Sequence, residues 1–347
     1  MRVSQERIMR FLPLLRVVVV LSLVMLTGQS RARVLKIATL SPEGSSWMKE
    51  MRKGAMEVAQ KTDRRVSFKF YPGGIMGGDK TVLRKIRFGQ LHGGAVISNS
   101  LTQYFSDNQI YNLPMMFQSF EEVDYVRKRM DGLIIEGFKK NGFITFGLAE
   151  GGFAYMMSNS PLQTLVDLRK QKVWIPENDS TALETVRAFG VTPIPLSIAD
   201  VLTGLQTGLI DTVTTSPIGA IALQWHTQVK YLMDNPLMYI YAVLALDRKA
   251  FNKISLDDQN IVTRVMGDVF RKIDRQNRED NVKALEVLRR QKIQFVKLTA
   301  ESRKEWYSKA SLVADRLIEA GTLSQEIVST LEKYLNEYRS KRSIAND

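Results

Sequence analysis

The stretch "VLKIATLSPEGSSWMKEMRKGAMEVAQK" (residues 34–61) decides the fold class of this chain. Its first seven residues form a compact apolar run that is typical of a buried strand, and the segment after the turn repeats apolar residues at helical spacing. That spacing places one set of side chains on a single side of a helix, namely Trp47, Met48, Met51, Ala55 and Val58. A strand that leads directly into an amphipathic helix begins an α/β unit.

The same alternation of strand and helix continues along the chain. "VSFKFYPGG" (66–74) alternates apolar residues as a strand does, and Asp79 is in position to cap a helix over "KTVLRKIRFGQ" (80–90). A capping box from Thr164 to Asp167 opens a further helix, before a short strand around Trp174. Repeated units of these lengths predict parallel or mixed sheets with helices on both faces.

A long helix is predicted from Ser255 onward, where Ser255 and Asp258 form a second capping box. The apolar side of this helix is interrupted by the polar segment "RQNREDN" (275–281). We interpret the interruption as the place where the helix crosses from one domain to another and is exposed to solvent.

The composition excludes several kinds of chemistry. The chain has 347 residues, enough for two domains, and no cysteine, which excludes disulfides and thiolate metal sites. His92 and His226 are the two histidines, and neither lies in a pattern typical of zinc binding or nucleophilic catalysis. The glycine-rich "GGIMGGDKT" (73–81) has Asp79 where a phosphate-binding loop needs lysine. We therefore expect no cofactor, no metal site and no enzymatic activity.

Residues 1–32 have the pattern of a cleavable secretory signal peptide, with arginines before an apolar run and small residues after it. The alternative is a retained membrane tether, for which the apolar core is short. Removal of this segment takes away five arginines and one glutamate and lowers the formal net charge from +13 to +9. Since no recognition motif accompanies the basic residues, we expect no binding of nucleic acid.

Five stretches together resemble the extracytoplasmic solute-binding subunit of a tripartite ATP-independent periplasmic (TRAP) transporter, DctP type. They are the segments 57–91, "NLPMMFQSFEEVDYV" (112–126), "DLRKQKVWIPEN" (167–178), "PLSIADVLTGLQTGLIDTVTTSP" (195–217) and "FNKISLDDQNIV" (251–262). The resemblance implies an α/β, two-lobed periplasmic-binding-protein-like fold with a ligand cleft, hinge strands near 151–153 and 240–242, and a long domain-spanning helix. It also implies delivery of ligand to integral membrane permease subunits.

We place the domain boundaries on this resemblance. Lobe I is expected to comprise residues 33–151 and 241–281, lobe II residues 152–240 and 282–338, and residues 339–347 a frayed tail. A branch of the family that this chain resembles works with an additional tetratricopeptide-repeat periplasmic subunit, which is a further expected partner.

The resemblance also implies a ligand site, and this chain departs from it. An arginine that grips a ligand carboxylate is usual in the family strand where this chain has Trp174, a second arginine is usual at Ala154, and an asparagine at Thr215. Without these cations a buried acid is costly to desolvate. We expect an apolar or aromatic cleft for a lipid-like, aromatic or uncharged ligand, lined by Trp174, Phe153, Ala154, Thr215, Trp47, Ile97 and Ile198.

Two alternatives remain open at this stage. A carboxylate ligand requires an arginine from elsewhere, for example Arg187 or Arg248, to reach the cleft. A scaffold or envelope interaction protein requires Trp174 to fill the cleft by packing against the opposite lobe, since tryptophan in a strand is often a core residue.

Overall fold

The computed structural model describes residues 32–177 and 179–346. The predicted signal peptide falls on residues that lie, except for Ala32, outside this range. Among the described helices, none combines the length and the apolar character that crossing a bilayer requires.

Strands alternate with helices, and most of the strands join one mixed sheet. In the described residues the sheet has nine strands, in the order β11-β9-β5-β10-β3-β1-β2, with β4 beside β10 and β8 beside β5. A separate two-stranded sheet joins β6 and β7. The strands are β1 Arg33–Thr39, β2 Val66–Tyr71, β3 Gly93–Ile97, β4 Phe143–Ile144, β5 Ala149–Ser158, β6 Trp174–Pro176, β7 Ile194–Leu196, β8 Thr212–Thr215, β9 Tyr231–Met233, β10 Met238–Asp247 and β11 Gln294–Val296.

Helices cover the sheet on both faces, as the alternation of patterns predicts. Side chains of Ser45, Ser119 and Ser255 accept hydrogen bonds from free backbone N–H groups at the beginning of three of them. The helices are α1 Ser46–Lys61, α2 Asp79–Arg87, α3 Phe120–Lys140, α4 Leu165–Leu168, α5 Ser180–Ala188, α6 Val201–Gln206, α7 Pro217–Ala222, α8 Arg248–Phe251, α9 Leu256–Arg290, α10 Ala300–Ala310, α11 Leu312–Glu319 and α12 Gln325–Asn346.

The two lobes share the long antiparallel strands β5 and β10. The first part of β5 pairs with β10, and its last part, from Tyr155 to Ser158, pairs with β8 and β9 of lobe II. The other end of β10 pairs with β3 of lobe I. The register between β5 and β10 shifts between Ile240 and Tyr241. The strands therefore pass between the lobes at the positions where hinges are predicted.

Each lobe has apolar side chains buried on both sides of its part of the sheet. In lobe I, α1 and α9 cover one face with residues such as Met51 and Phe270, and α3 covers the other with residues such as Val126. Gly54 lies where α1 approaches α9, and a Cβ there would collide with the side chain of Val269. This close approach explains a glycine in the middle of an otherwise regular helix.

The polar segment of α9 is only partly exposed at the crossing, which corrects the prediction: Arg275 and Glu279 are exposed, whereas Asn281 is buried. Asn277 Nδ2 donates to the carbonyl of Glu150 at 2.7 Å, and Asn281 Nδ2 donates to the carbonyl of Gly151 at 2.9 Å. Gly152 has a φ of +88°, and a Cβ on it would lie 2.6 Å from Asn281 Nδ2. The apolar stripe stops here because the helix meets backbone groups of the hinge strand that need hydrogen-bond partners.

The C-terminal segment also differs from the predicted boundaries. Helix α12 packs on α3 of lobe I rather than on lobe II, through side chains that include Leu331 and Leu335. Arg339 pairs with Glu122 at 2.8 Å, so the first part of the predicted frayed tail is anchored. Residues 325–346 thus belong with lobe I, because the amphipathic helix buries its apolar face there.

Candidate ligand cavity between the lobes

A cavity of about 310 Å³ lies between the lobes, beside strands β5 and β10. Its volume is in the range of small-molecule sites in proteins. Strand ends and turns of lobe I form one wall, and β6, α5, α7 and the end of β8 form the other. Six of the seven residues predicted for the site line it, namely Trp47, Ile97, Ala154, Trp174, Ile198 and Thr215.

Trp174 is both a core residue of lobe II and part of the cavity wall. Its side chain is buried, and its Nε1 donates to the carbonyl of Leu196 at 3.1 Å on the neighbouring strand β7. Its ring meets that of Trp225 edge to face, with centroids 5.1 Å apart. These contacts fix the orientation of the indole, so that the wall has a rigid aromatic surface.

Phe153 does not line the cavity, in contrast to the prediction. It packs against Phe120, with ring centroids 4.8 Å apart, and against Tyr239, at 5.9 Å. Successive side chains of a strand point to opposite faces, so Ala154 and Phe153 of β5 cannot both face the cavity. Conversely, Trp225 lines the cavity. The alternation of β10 directs Met238, Ile240 and Ala242 toward the cavity and the Tyr241 ring toward Tyr111, whereas Trp225 lies in a turn that no periodicity places.

No lysine, arginine or histidine is among the described residues that line the cavity. Arg187 pairs with Glu184 at 2.9 Å and borders a separate depression of about 560 Å³ beyond Ile175. Arg248 donates to the carbonyl of Lys139 at 3.0 Å, away from the site. Neither arginine supplies the cation that the carboxylate alternative requires.

Three acidic residues line the cavity, and the first is Asp79. The structure corrects its predicted role, because Gly78 is the N-cap of α2 and the Asp79 side chain does not cap the helix. Instead, its Oδ2 accepts hydrogen bonds from the backbone N–H of Ile97 at 3.1 Å and from Ser100 Oγ at 2.8 Å. Burial raises the pKa of Asp79 to about 6, since no cation offsets the loss of hydration.

The second carboxyl group, that of Asp179, joins the lobes. It caps α5 by accepting from the N–H of Ala182 at 2.8 Å, and it also accepts from Asn99 Nδ2 and from Gln109 Nε2 of lobe I. Gln109 in turn accepts from Thr181 Oγ1 at 2.9 Å. Burial raises the pKa of Asp179 to about 6 as well. We call the side chains of Asn99, Gln109 and Asp179 the interlobe bridge.

The third carboxyl group, that of Glu150, is fully buried but paired. Arg278 donates to both of its oxygens, and Tyr239 Oη donates to Oε2 at 3.1 Å. Burial raises its pKa, although the pairing with Arg278 opposes this effect. Because Glu150 lies on β5 and Arg278 on α9, this pair holds the long helix against the hinge strand.

A dependence of stability on pH follows from Asp79 and Asp179. A carboxyl whose pKa is higher in the folded state than in the unfolded state stabilises the fold below the unfolded value, and this contribution is lost as pH rises through the folded value. We expect Asp179, which is buried, to lower the free energy of unfolding by up to about 3 kcal/mol as pH rises from about 4 to about 6, and Asp79, which is half-buried, to lower it by less. Chemical denaturation across this range should show Asp179→Asn gaining stability relative to the wild type as pH rises. Parallel pH curves for the two proteins would contradict the assignment for Asp179.

The chain is similar to a known family of bacterial binding proteins. Residues 37–320 match the family model described as bacterial extracellular solute-binding protein, family 7 (DctP). The chain is 26% identical to the uncharacterized protein YiiZ of Salmonella typhimurium over 59% of this chain and 64% of YiiZ. It is 22% identical to the C4-dicarboxylate-binding periplasmic protein DctP of Rhodobacter capsulatus, over 76% of this chain and 80% of that protein.

Solved structures share the architecture. A TRAP periplasmic solute-binding protein from a Sulfitobacter species, solved with β-D-galacturonate bound, superposes with a TM-score of 0.79. The superposition covers 88% of this chain and 100% of that chain, at 16% sequence identity. The prediction of a two-lobed α/β fold is thereby confirmed.

Proposed function

The chain belongs to family 7 of the bacterial extracellular solute-binding proteins, and we propose that it binds an apolar or uncharged ligand, lipid-like or aromatic. The family consists of periplasmic receptors of transporters, not of enzymes. Within the family, this chain is a TRAP-type solute-binding subunit. The class of ligand is our proposal beyond this family assignment.

The absence of a cation from the described cavity wall carries this proposal. The Rhodobacter relative is named for C4-dicarboxylates, and the Sulfitobacter protein holds a sugar acid. Burial of a carboxylate needs a positive partner with good geometry. Here Trp174 and Ala154 occupy the positions where the family resemblance implies arginines, and the cavity is bordered by carboxyl groups instead. A carboxylate ligand would be repelled by these carboxyl groups and would also lose its hydration.

The contacts of Trp174 favour a receptor over a scaffold. The scaffold alternative requires this side chain to pack against the opposite lobe, whereas its aromatic partner is Trp225 of its own lobe. Space therefore remains between the lobes for a ligand. Integral membrane permease subunits are the partners that we propose for delivery, and a tetratricopeptide-repeat periplasmic subunit stays a prediction.

Mass spectrometry of the organic extract from exported, purified protein tests the ligand class. We expect a lipid or other apolar molecule in the wild-type extract, depleted at least about tenfold in Trp174→Arg, because a charge in the apolar wall costs more than 1.4 kcal/mol of binding free energy. Trp306→Phe is the matched control. Trp306 is buried in lobe II, does not line the cavity, and its Nε1 has no hydrogen-bond partner in the described structure.

Circular dichroism of the three proteins checks that each is folded before extraction. A wild-type protein that carries no apolar molecule but binds small organic acids would contradict the proposal. So would an apolar molecule that Trp174→Arg and Trp306→Phe retain equally.

A further inference from the structure

One carboxylate oxygen on the cavity wall lacks a protein partner. Both hydrogen bonds to Asp79 are accepted by Oδ2, and among the described residues no group donates to Oδ1. Asp79 is half-buried and lines the cavity. A donor on a molecule in the cavity can therefore bond to Oδ1 without displacing a protein partner.

The other two carboxyl groups on the wall have their partners. Asp179 accepts on both oxygens from the interlobe bridge and from the N–H of Ala182. Glu150 accepts from Arg278 and from Tyr239. Of these acids in the described structure, Asp79 is therefore the one with capacity left for a ligand.

Aromatic side chains line part of the remaining wall. They are Trp47 of lobe I and Trp174 and Trp225 of lobe II. The faces of such rings attract cations, and they also bury hydrocarbon. A carboxylate without a cation, together with several aromatic rings, is a combination that suits a positively charged group attached to an apolar body.

We propose that the ligand is an apolar amine whose protonated nitrogen donates to Asp79 Oδ1, while its hydrocarbon or aromatic body lies against Trp174 and Trp225. This inference rests on the proposed function, because it keeps the apolar body of the ligand, and it adds a positively charged end to that body. A hydroxyl or amide could also donate to Asp79, but an uncharged donor leaves the half-buried carboxylate without a counter-ion. A charge-assisted hydrogen bond to an ammonium group is stronger for that reason.

The test compares three ligands of equal chain length, octylamine, 1-octanol and octanoate. Binding is followed by tryptophan fluorescence, because three of the four tryptophans border the cavity. We expect octylamine to bind the wild-type protein about tenfold or more tightly than 1-octanol, as a hydrogen bond to a charged group implies. Asp79→Asn should remove that preference, so that octylamine and 1-octanol bind the variant with similar affinity. Asp257→Asn changes an exposed acid at the beginning of α9. This control should bind octylamine and 1-octanol with the same affinities as the wild-type protein.

Each result separates this inference from the proposed function. Equal affinities for octylamine and 1-octanol, or an amine preference that survives in Asp79→Asn, would overturn the amine and leave an apolar ligand standing. Tightest binding of octanoate would overturn the proposed function itself. No saturable binding of octylamine to folded wild-type protein would also overturn the inference, and this comparison needs no variant.

Discussion

Replacement of Trp174 by alanine is expected to lower the free energy of unfolding by about 3 kcal/mol and to weaken apolar ligand binding at least about tenfold. The stability loss has three sources. The buried indole loses its packing, the edge-to-face contact with Trp225 disappears, and the carbonyl of Leu196 loses a hydrogen-bond donor. We place the loss at the lower end of the range for such changes, because one side of the ring already borders an open cavity.

Trp174→Phe distinguishes the contribution of the aromatic ring to stability from that of the hydrogen bond. Phenylalanine keeps an aromatic contact with Trp225 but cannot donate to Leu196, so we expect a loss of about 1 kcal/mol from the hydrogen bond. Urea denaturation of the three proteins measures these differences. If Trp174→Ala were as stable as the wild type and bound the same apolar molecule, Trp174 would be neither a core residue nor part of the binding wall.

Replacement of Arg127 by alanine is expected to lower the free energy of unfolding by about 3–5 kcal/mol. Arg127 is buried and donates to Asp131, to Asp274 at 2.9 Å, to Tyr239 Oη at 2.8 Å and to the carbonyl of Leu148 at 2.9 Å. Its removal leaves several acceptors, two of them carboxylates, without their cation. The cost of uncompensated buried charge exceeds what the ion pairs contribute in the intact protein.

The pH dependence of this loss has a definite sign. Burial raises the pKa of Asp131, and the Arg127 guanidinium opposes this effect. Without Arg127 that pKa is higher still in the folded state, so the variant recovers stability relative to the wild type as pH falls. Arg271→Ala is the control, because Arg271 pairs with Asp268 on the exposed side of α9 and such pairs contribute less than about 1 kcal/mol. A loss below about 1 kcal/mol for Arg127→Ala, or one that is independent of pH, would contradict this account.

The fold could be predicted from local patterns, since each strand and helix carries its own periodicity. Trp174 could be placed on a short strand for the same reason, but its place at the cavity is predicted from the family resemblance and not from periodicity. What the sequence could not supply was the set of contacts between distant segments. The polar residues of α9 look like a solvent-exposed run until β5 is placed beside them, and only then do Asn277 and Asn281 acquire partners.

The errors at the site have similar causes. Phe153 and Ala154 are adjacent in sequence, and a one-residue difference in strand register exchanges the two faces. Asp79 stands beside the beginning of a helix and resembles a cap, but its hydrogen bonds go to Ile97 and Ser100 of another segment. The C-terminal helix has an apolar face that would suit either lobe, and the pairing of Arg339 with Glu122 is visible only in three dimensions.

The interlobe bridge has a consequence for how capture begins. Because Asp179 accepts from both Asn99 and Gln109, the joined arrangement of the lobes is stabilised by the protein's own side chains, before any ligand contributes. A ligand can shift an equilibrium between conformations only by its difference in affinity for them. Because the protein supplies part of the closing free energy, a smaller difference in ligand affinity is needed to make the joined conformer dominant in the population.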